Sequence, residues 1–243
     1  MPSFKSFYLA TAAALVSFST ALDETTYPFQ PPTDTDVRAP CPALNALANH
    51  GILPRDGKGV TMAMLVDGLY KGFSAQSDST QVLGSLAFQT STTGDPSTFN
   101  LDDLKQHTPH VLEHDGSLSR NDSYFGDNLS FSDQAWARTL ANWGDNEIIT
   151  FAVAAAERNA RFAYGAATNP EFDAASANSA SLLEYSLILS AFGDLVEGNA
   201  NATFIKYLFE KERLPIELGW QPPTSNMTLA GAQAMAGKIA ALL

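Results

Sequence analysis

The stretch Ala39-Pro40-Cys41-Pro42-Ala43-Leu44-Asn45-Ala46-Leu47-Ala48-Asn49-His50-Gly51 contains the single cysteine of a 243-residue chain. Proline suits the first position of a helix, because its missing N–H has no partner there and its φ is already set. Alanine and leucine favour helix over 43–48, and Gly51 is a typical stop. The pattern therefore predicts a short helix that begins directly after Cys41.

Cys41 is expected at the N-cap of this helix, with its sulfur facing the free amides of Leu44 and Asn45. Amide N–H groups and the helix dipole stabilise negative charge, so we expect the thiolate to be favoured over the thiol. A thiolate in this position can attack a substrate or ligate a soft metal centre. The alternative for a lone cysteine is a small buried residue or an unpaired thiol.

Composition and charge narrow the class of protein. The formal net charge is −12 at pH 7, which argues against a nucleic-acid partner and against an anionic membrane surface. Apolar residues make up 45% of the chain and aromatic residues 10%, as expected for a globular domain with a sizeable core. One cysteine permits no intrachain disulfide, so the core must hold without one.

Residues 1–21 are typical of a secretory signal, with Lys5 at the start, an apolar run over 7–18 and small residues at the predicted cleavage site. The apolar run is too short to favour a membrane anchor. Four Asn-x-Ser/Thr sequons agree with a secretory route: Asn121, Asn128, Asn201 and Asn226. The sequence predicts a secreted, extracellular protein with one domain over 22–243 and no membrane association after signal removal.

Helical periodicity dominates the rest of the chain. It predicts helices over 61–73, 79–89, 132–143, 147–167, 179–192, 203–213 and 229–243. Arg158 and Arg161 fall on the fourth of these helices; they could pair with carboxylates, and a solvated face is the simpler explanation. Trp220, after the 203–213 helix, is expected to pack in the core. The fold class that follows is all-α, in a single compact helical domain.

A second informative stretch is Leu112-Glu113-His114-Asp115-Gly116-Ser117. Glu113 and the Ser117 hydroxyl are hard oxygen donors, and Gly116 lets the chain turn so that both can face one ion. Magnesium prefers such ligands. Taken alone, the segment is better explained as a solvated acidic turn.

A third candidate is Glu184, in the predicted helix 179–192. On a helical wheel it lies among apolar residues (Ala180, Leu187, Ile188 and Ala191), while Ser179, Ser186 and Ser190 lie away from it. A carboxyl in an apolar face is costly unless it is partnered or functional. Burial would raise its pKa and suit it to move protons. Glu171 and Glu157 are the alternatives for this role.

These stretches together resemble the fungal haem-thiolate peroxidases, the family of chloroperoxidases and unspecific peroxygenases. The resemblance rests on the Pro-Cys-Pro string continued to Gly51, on Glu-His-Asp-x-Ser at 113–117, and on the segment 203–220. It implies a chloroperoxidase-like helical domain that encloses haem b.

The resemblance also implies roles for individual residues. Cys41 would be the axial ligand of the haem iron, in a cofactor-binding loop with Pro40, Pro42 and Ala43. Glu113, the backbone carbonyl of His114 and Ser117 would hold a magnesium or manganese ion against a haem propionate. Glu184 would be the acid–base catalyst, with the His114 side chain beside it. Asp115 would orient His114.

The function implied is oxidation or oxygenation of small organic substrates, or of halide, by hydrogen peroxide. Two alternatives stay open at this point. One is a cysteine hydrolase in which Cys41 acts with His114 or His50 and with Asp115. The other is a secreted haem-binding protein without turnover. The oligomeric state is left open.

Overall fold

A computed structural model describes residues 22–108 and 112–243, so the predicted signal segment 1–21 lies outside the described residues. Eight α-helices form the framework of this part of the chain. They are α1 Pro42–Asn49, α2 Met62–Phe73, α3 Ser77–Ala87, α4 Asp133–Trp143, α5 Phe151–Thr168, α6 Ala174–Phe192, α7 Ala202–Lys211 and α8 Leu229–Ala240. The all-α prediction is confirmed. None of these described helices combines the length and hydropathy needed to cross a bilayer.

Two short antiparallel pairs join distant loops. β1 (Val60–Thr61) pairs with β2 (Thr98–Phe99), and β3 (Ile148–Ile149) pairs with β4 (Ala200–Asn201). Each member of the second pair runs directly or nearly directly into a helix, α5 or α7. The pairing therefore places the starts of these two helices side by side.

Side-chain caps fix where several helices begin, because each supplies an acceptor to an amide that has no partner within the helix. The capping residues are Thr61, Ser132, Thr150, Asp173, Asn201 and Thr228. Two predicted boundaries were wrong for this reason. α5 begins at Phe151 rather than residue 147, since the residues before Thr150 form β3, and α6 begins at Ala174 because Asp173 caps it.

α6 runs through the interior and packs against α8, α5 and α7. Ser186 and Ser190, which the helical wheel places away from Glu184, are buried as well. Their hydroxyls donate to the carbonyls of Leu183 (2.8 Å) and Ser186 (2.7 Å), which satisfies them inside the core. Trp220 is buried as predicted, and its indole N–H donates to the carbonyl of Ala191 at 3.0 Å.

Candidate active site around Cys41 and Glu184

Cys41 is the N-cap residue of α1, with an extended backbone (φ −84°, ψ 111°) and a partly exposed side chain. Burial raises the pKa of its thiol, while backbone N–H groups of Leu44 and Ala43 and the positive charge of Arg120 lower it. The net direction is upward, so the expectation that the thiolate is favoured was wrong for the protein alone. Two amides of an eight-residue helix do not offset the lost hydration, whereas a bound metal centre deprotonates its thiol ligand outright.

The loop that carries Cys41 is clamped by Asn45, one turn into α1. The Asn45 amide accepts from the N–H of Ala39 at 2.7 Å and donates to the carbonyl of the same residue at 2.8 Å. Both residues are buried. Because the side chain pairs with both backbone groups of Ala39, it fixes the chain two residues before the cysteine.

A polar cluster continues from this clamp to α7. Glu212 accepts from Asn45 at 2.8 Å and from Arg120 at 2.7 Å, and its carbonyl accepts from Asn49 at 2.9 Å. Arg38 in turn donates to Asn49. Buried polar groups are stabilising only when paired, and here the partners come from α1, from the end of α7 and from the two loops that carry Arg38 and Arg120. The cluster therefore holds the cysteine loop against α7 and the loop before α4.

His50 lies at the opposite end of α1 from Cys41, about 13 Å along the helix at ~1.5 Å per residue. Its Nε2 accepts from the N–H of Leu214 at 3.2 Å, so its Nδ1 carries the proton and donates to the carbonyl of Tyr27 at 2.7 Å. Burial lowers its pKa and keeps the ring neutral. With both nitrogens engaged, His50 is a structural residue, which counts against its role in the hydrolase alternative.

In the 113–117 segment, Glu113 and His114 are both buried. The Glu113 carboxylate lies 2.5 Å from Nδ1 of His107, through Oε2. His114 donates from Nδ1 to the carbonyl oxygen of Asp115 at 2.8 Å. The sequence predicted that Asp115 orients the His114 ring. In the structure this contact is made by the backbone carbonyl of Asp115.

The Asp115 carboxylate accepts from the N–H of Asp173 at 3.0 Å, next to the start of α6. Gly116 has a φ of +69°, and its N–H donates to Asp122 at 2.7 Å, so the predicted turn is present. The bond between Asp115 and Asp173 attaches the 113–117 segment to the start of the helix that carries Glu184.

Glu184 lies near the middle of α6 with 22% of its side chain exposed. Its negative charge raises the pKa of the Cys41 thiol, so the two groups lie within electrostatic reach of each other. Among residues 22–108 and 112–243, its Oε2 is buried and has no hydrogen-bond partner. The structure thus brings a partly exposed thiol and a carboxylate with an unbonded oxygen to one region.

The two alternatives to Glu184 have different surroundings. Glu157 is fully buried and bonds to Arg161 at 2.8 Å and to the Tyr185 hydroxyl at 2.7 Å, while Glu171 is exposed. Arg161 and Arg158 are buried too, so the expectation of a solvated face was wrong. A carboxylate at i and an arginine at i+4, as at 157 and 161, was the sequence signal for this pair.

Within the described ranges, no group of three or more His, Cys, Asp or Glu side chains is placed to hold a metal ion. The expected cation ligands supply only one carboxylate (Glu113), with a hydroxyl and a backbone carbonyl completing the set. A cavity of about 410 Å³ lies beside them and is lined by Ser117, Arg120 and Arg161 among others. Its lining includes neither Cys41 nor Glu184, so it borders the candidate site rather than forming it.

Comparison with known proteins gives a consistent result. Residues 27–225 match the family described as Peroxidase, family 2. An aromatic peroxygenase of Coprinellus radians is 27% identical over 86% of this chain and 88% of its own length. A chloroperoxidase of Leptoxyphium fumago is 30% identical over 83% of this chain, and an aromatic peroxygenase of Cyclocybe aegerita is 28% identical over 62%. The matches span 59% and 45% of the length of these last two relatives.

Proposed function

The chain belongs to peroxidase family 2, the haem-thiolate peroxidases and peroxygenases, and from that premise we propose that it binds haem b through Cys41 and uses hydrogen peroxide to oxygenate small organic substrates. Membership makes it a peroxide-dependent oxidoreductase and implies a haem cofactor. The names of its relatives, aromatic peroxygenase and chloroperoxidase, support organic substrates of aromatic character and halide as the classes to test first.

The observation that carries the proposal is that the partly exposed thiol of Cys41 lies within electrostatic reach of the Glu184 carboxylate. Cys41, Pro42, Ala43 and Leu44 stay half-buried while the rest of α1 is fully buried, so the first turn presents an accessible apolar face with a sulfur donor. That donor set fits a haem iron, and a thiolate ligand favours cleavage of a bound O–O bond. Pro40, Pro42 and Ala43 would contact the cofactor on the sulfur side.

Glu184 would move the proton during peroxide cleavage. Its carboxylate would take a proton from one oxygen of hydrogen peroxide and return it to the other, which leaves as water. His114, with Nδ1 held by the carbonyl of Asp115, would present Nε2 as the second polar group on this side. In the overall reaction one peroxide oxygen enters the substrate and the other forms water.

We further propose a magnesium or manganese ion held by Glu113, the carbonyl of His114 and the hydroxyl of Ser117. All three are hard oxygen donors, as these ions require. The contact of Glu113 with His107 engages Oε2 and would orient the carboxylate for the ion.

Secretion is proposed on the signal pattern of residues 1–21 and on the sequons. The negative net charge supports small neutral or aromatic substrates over polyanionic partners.

The test is turnover with ¹⁸O-labelled hydrogen peroxide and an aromatic substrate, with products analysed by mass spectrometry. Label in a hydroxylated product is expected, whereas coupled phenols without label would indicate one-electron peroxidase chemistry instead. Glu184→Gln should lower turnover by about 10²–10⁴-fold with haem retained, while Glu171→Gln, a matched change at an exposed glutamate, should not. Unchanged turnover in Glu184→Gln would refute the assigned role.

A further inference from the structure

The guanidinium of Arg161 lies between carboxylates from two helices. Its Nε is 2.8 Å from the carboxylate of Glu157, one turn earlier on α5, and its Nη1 is 3.6 Å from Oε2 of Glu184 on α6. Nη1 also donates to the carbonyl of Gly116. Only 6% of the side chain is exposed. One buried cation thus joins α5, α6 and the 113–117 segment.

The Glu157 carboxylate accepts several hydrogen bonds besides that from Arg161. Glu157 has no exposed surface and accepts from the Tyr185 hydroxyl at 2.7 Å and from the Thr139 hydroxyl at 3.3 Å, besides Arg161. Trp143 donates to the Tyr185 oxygen at 3.0 Å. Burial and the charge of Glu157 raise the pKa of Tyr185 well above 10, so the phenol stays protonated and keeps donating. Arg161 is therefore fixed from this side.

The contact with Glu184 is different. A separation of 3.6 Å is too long for a hydrogen bond, and among the described residues neither Oε2 of Glu184 nor Nη2 of Arg161 has a hydrogen-bond partner. Burial lowers the pKa of Arg161, but the charges of Glu157 and Glu184 outweigh it and hold the pKa above its usual value. A permanent positive charge therefore stands beside Glu184 without occupying its oxygen.

We propose that Arg161 is a positioning residue for Glu184. Anchored by Glu157 and by the carbonyl of Gly116, its guanidinium holds the buried Oε2 of Glu184 by charge. This fixes the carboxylate so that its other oxygen, on the partly exposed side chain, receives the proton of hydrogen peroxide. The proposal rests on the acid–base role of Glu184 given above. Glu157 alone would neutralise the charge of Arg161. The proposal explains why the guanidinium also lies beside a second carboxylate, that of Glu184.

The chain offers a matched control one turn away. Arg158 is also buried on α5 and also contacts α6, where it donates to Ser181 at 2.9 Å and to Asn178. It has no ion pair with Glu184 among the described residues. Arg158→Gln therefore removes a buried α5–α6 cation and leaves the ion pair between Arg161 and Glu184 in place.

Stopped-flow mixing of the holoprotein with hydrogen peroxide measures the proton-dependent step through the change of the haem spectrum. We expect Arg161→Gln to slow it about 10²-fold, the cost of misdirecting a catalytic group by about 1 Å. Arg161→Lys should recover most of this loss, and Arg158→Gln should stay within about twofold of the wild type. In a Glu184→Gln background, Arg161→Gln should have no further effect, because the two residues act as one unit.

An infrared readout separates positioning from a purely structural role. The carboxylate band of Glu184, assigned by its loss in Glu184→Gln, should shift in Arg161→Gln and stay in place in Arg158→Gln. Additive rate losses in the double variant, or an unshifted band, would overturn the proposal. This band also reports on the contact if wild-type protein shows no reaction with peroxide, an outcome that would refute the proposed function instead.

Arg161→Gln leaves Glu157 buried without its cation, and the variant could lose its haem for that reason alone. The pair Arg161→Gln with Glu157→Gln removes both charges and keeps the volume. The same slow peroxide reaction is expected in this pair with normal haem content. A wild-type rate in it would show that Glu184 needs no cation beside it.

Discussion

Replacing Asn45 with alanine removes the clamp that fixes the loop before Cys41. The change deletes hydrogen bonds to the N–H and carbonyl of Ala39, both within 2.8 Å, and one to Glu212. Ala39 is almost fully buried, so both of its backbone groups lose their partner inside the protein. Two such groups at ~1–3 kcal/mol each give a destabilisation of about 3–4 kcal/mol.

For a domain of this size, that loss corresponds to a fall in melting temperature of about 10 °C, at ~2–4 °C per kcal/mol. Circular dichroism melting measures it, and haem content at room temperature shows whether the loop still holds the cofactor. Asn146→Ala is the matched control, because Asn146 is exposed and its amide donates only to the local carbonyl of Trp143. A melting temperature of Asn45→Ala within 2 °C of this control would refute the clamp.

Further predictions concern the acid–base group, the cation, pH and glycosylation. Glu184→Gln should lower the rate of peroxide cleavage by about 10²–10⁴-fold, measured by stopped-flow absorbance at unchanged haem content. Glu113→Gln should lower the magnesium or manganese content measured by mass spectrometry of the purified protein; full content would contradict the proposed ligand. Burial lowers the pKa of His50 below 6.5, so the unfolded chain binds the extra proton first and stability should fall as pH drops below about 6.5. His50→Gln should flatten that part of the melting-temperature profile, and an unchanged slope would assign it to other groups. Peptide mapping should find glycan on Asn226, which is exposed, and none on Asn128, which is buried and donates to the carbonyl of Lys105.

The sequence was sufficient for the helical fold because its signals are local. Thr61 and Ser132 cap helices at the predicted starts of 61–73 and 132–143, and Pro42 starts α1 as predicted. The start of α5 failed because a distant partner decides the structure there. Ile148 and Ile149 continue a helical pattern but pair with 200–201, and no local rule contains that pairing.

The candidate site was predictable only in part. Cys41 and Glu184 were chosen from a cap position and from a carboxyl on an apolar face, and both patterns are local. The contact of Glu184 with Arg161 was not predicted, because the sequence pattern favoured a solvated Arg161. Arg161 is buried by contacts that depend on the packing of several segments, among them Glu157 with its partner Tyr185, and Gly116.

The state of the thiol was the clearest error. A helix start predicts a lowered pKa, and burial raises it by more than two amides lower it. Burial of one side chain depends on the packing of the whole domain, so the sign of this shift could not be read from residues 39–51.

The central claim is that Cys41 ligates haem iron as a thiolate. The most direct measurement is the optical spectrum of the purified haem-loaded protein, reduced and exposed to carbon monoxide. The account predicts a strongly red-shifted Soret band that disappears in Cys41→Ser. A spectrum typical of histidine-ligated haem, or a red-shifted band that persists in Cys41→Ser, would contradict it.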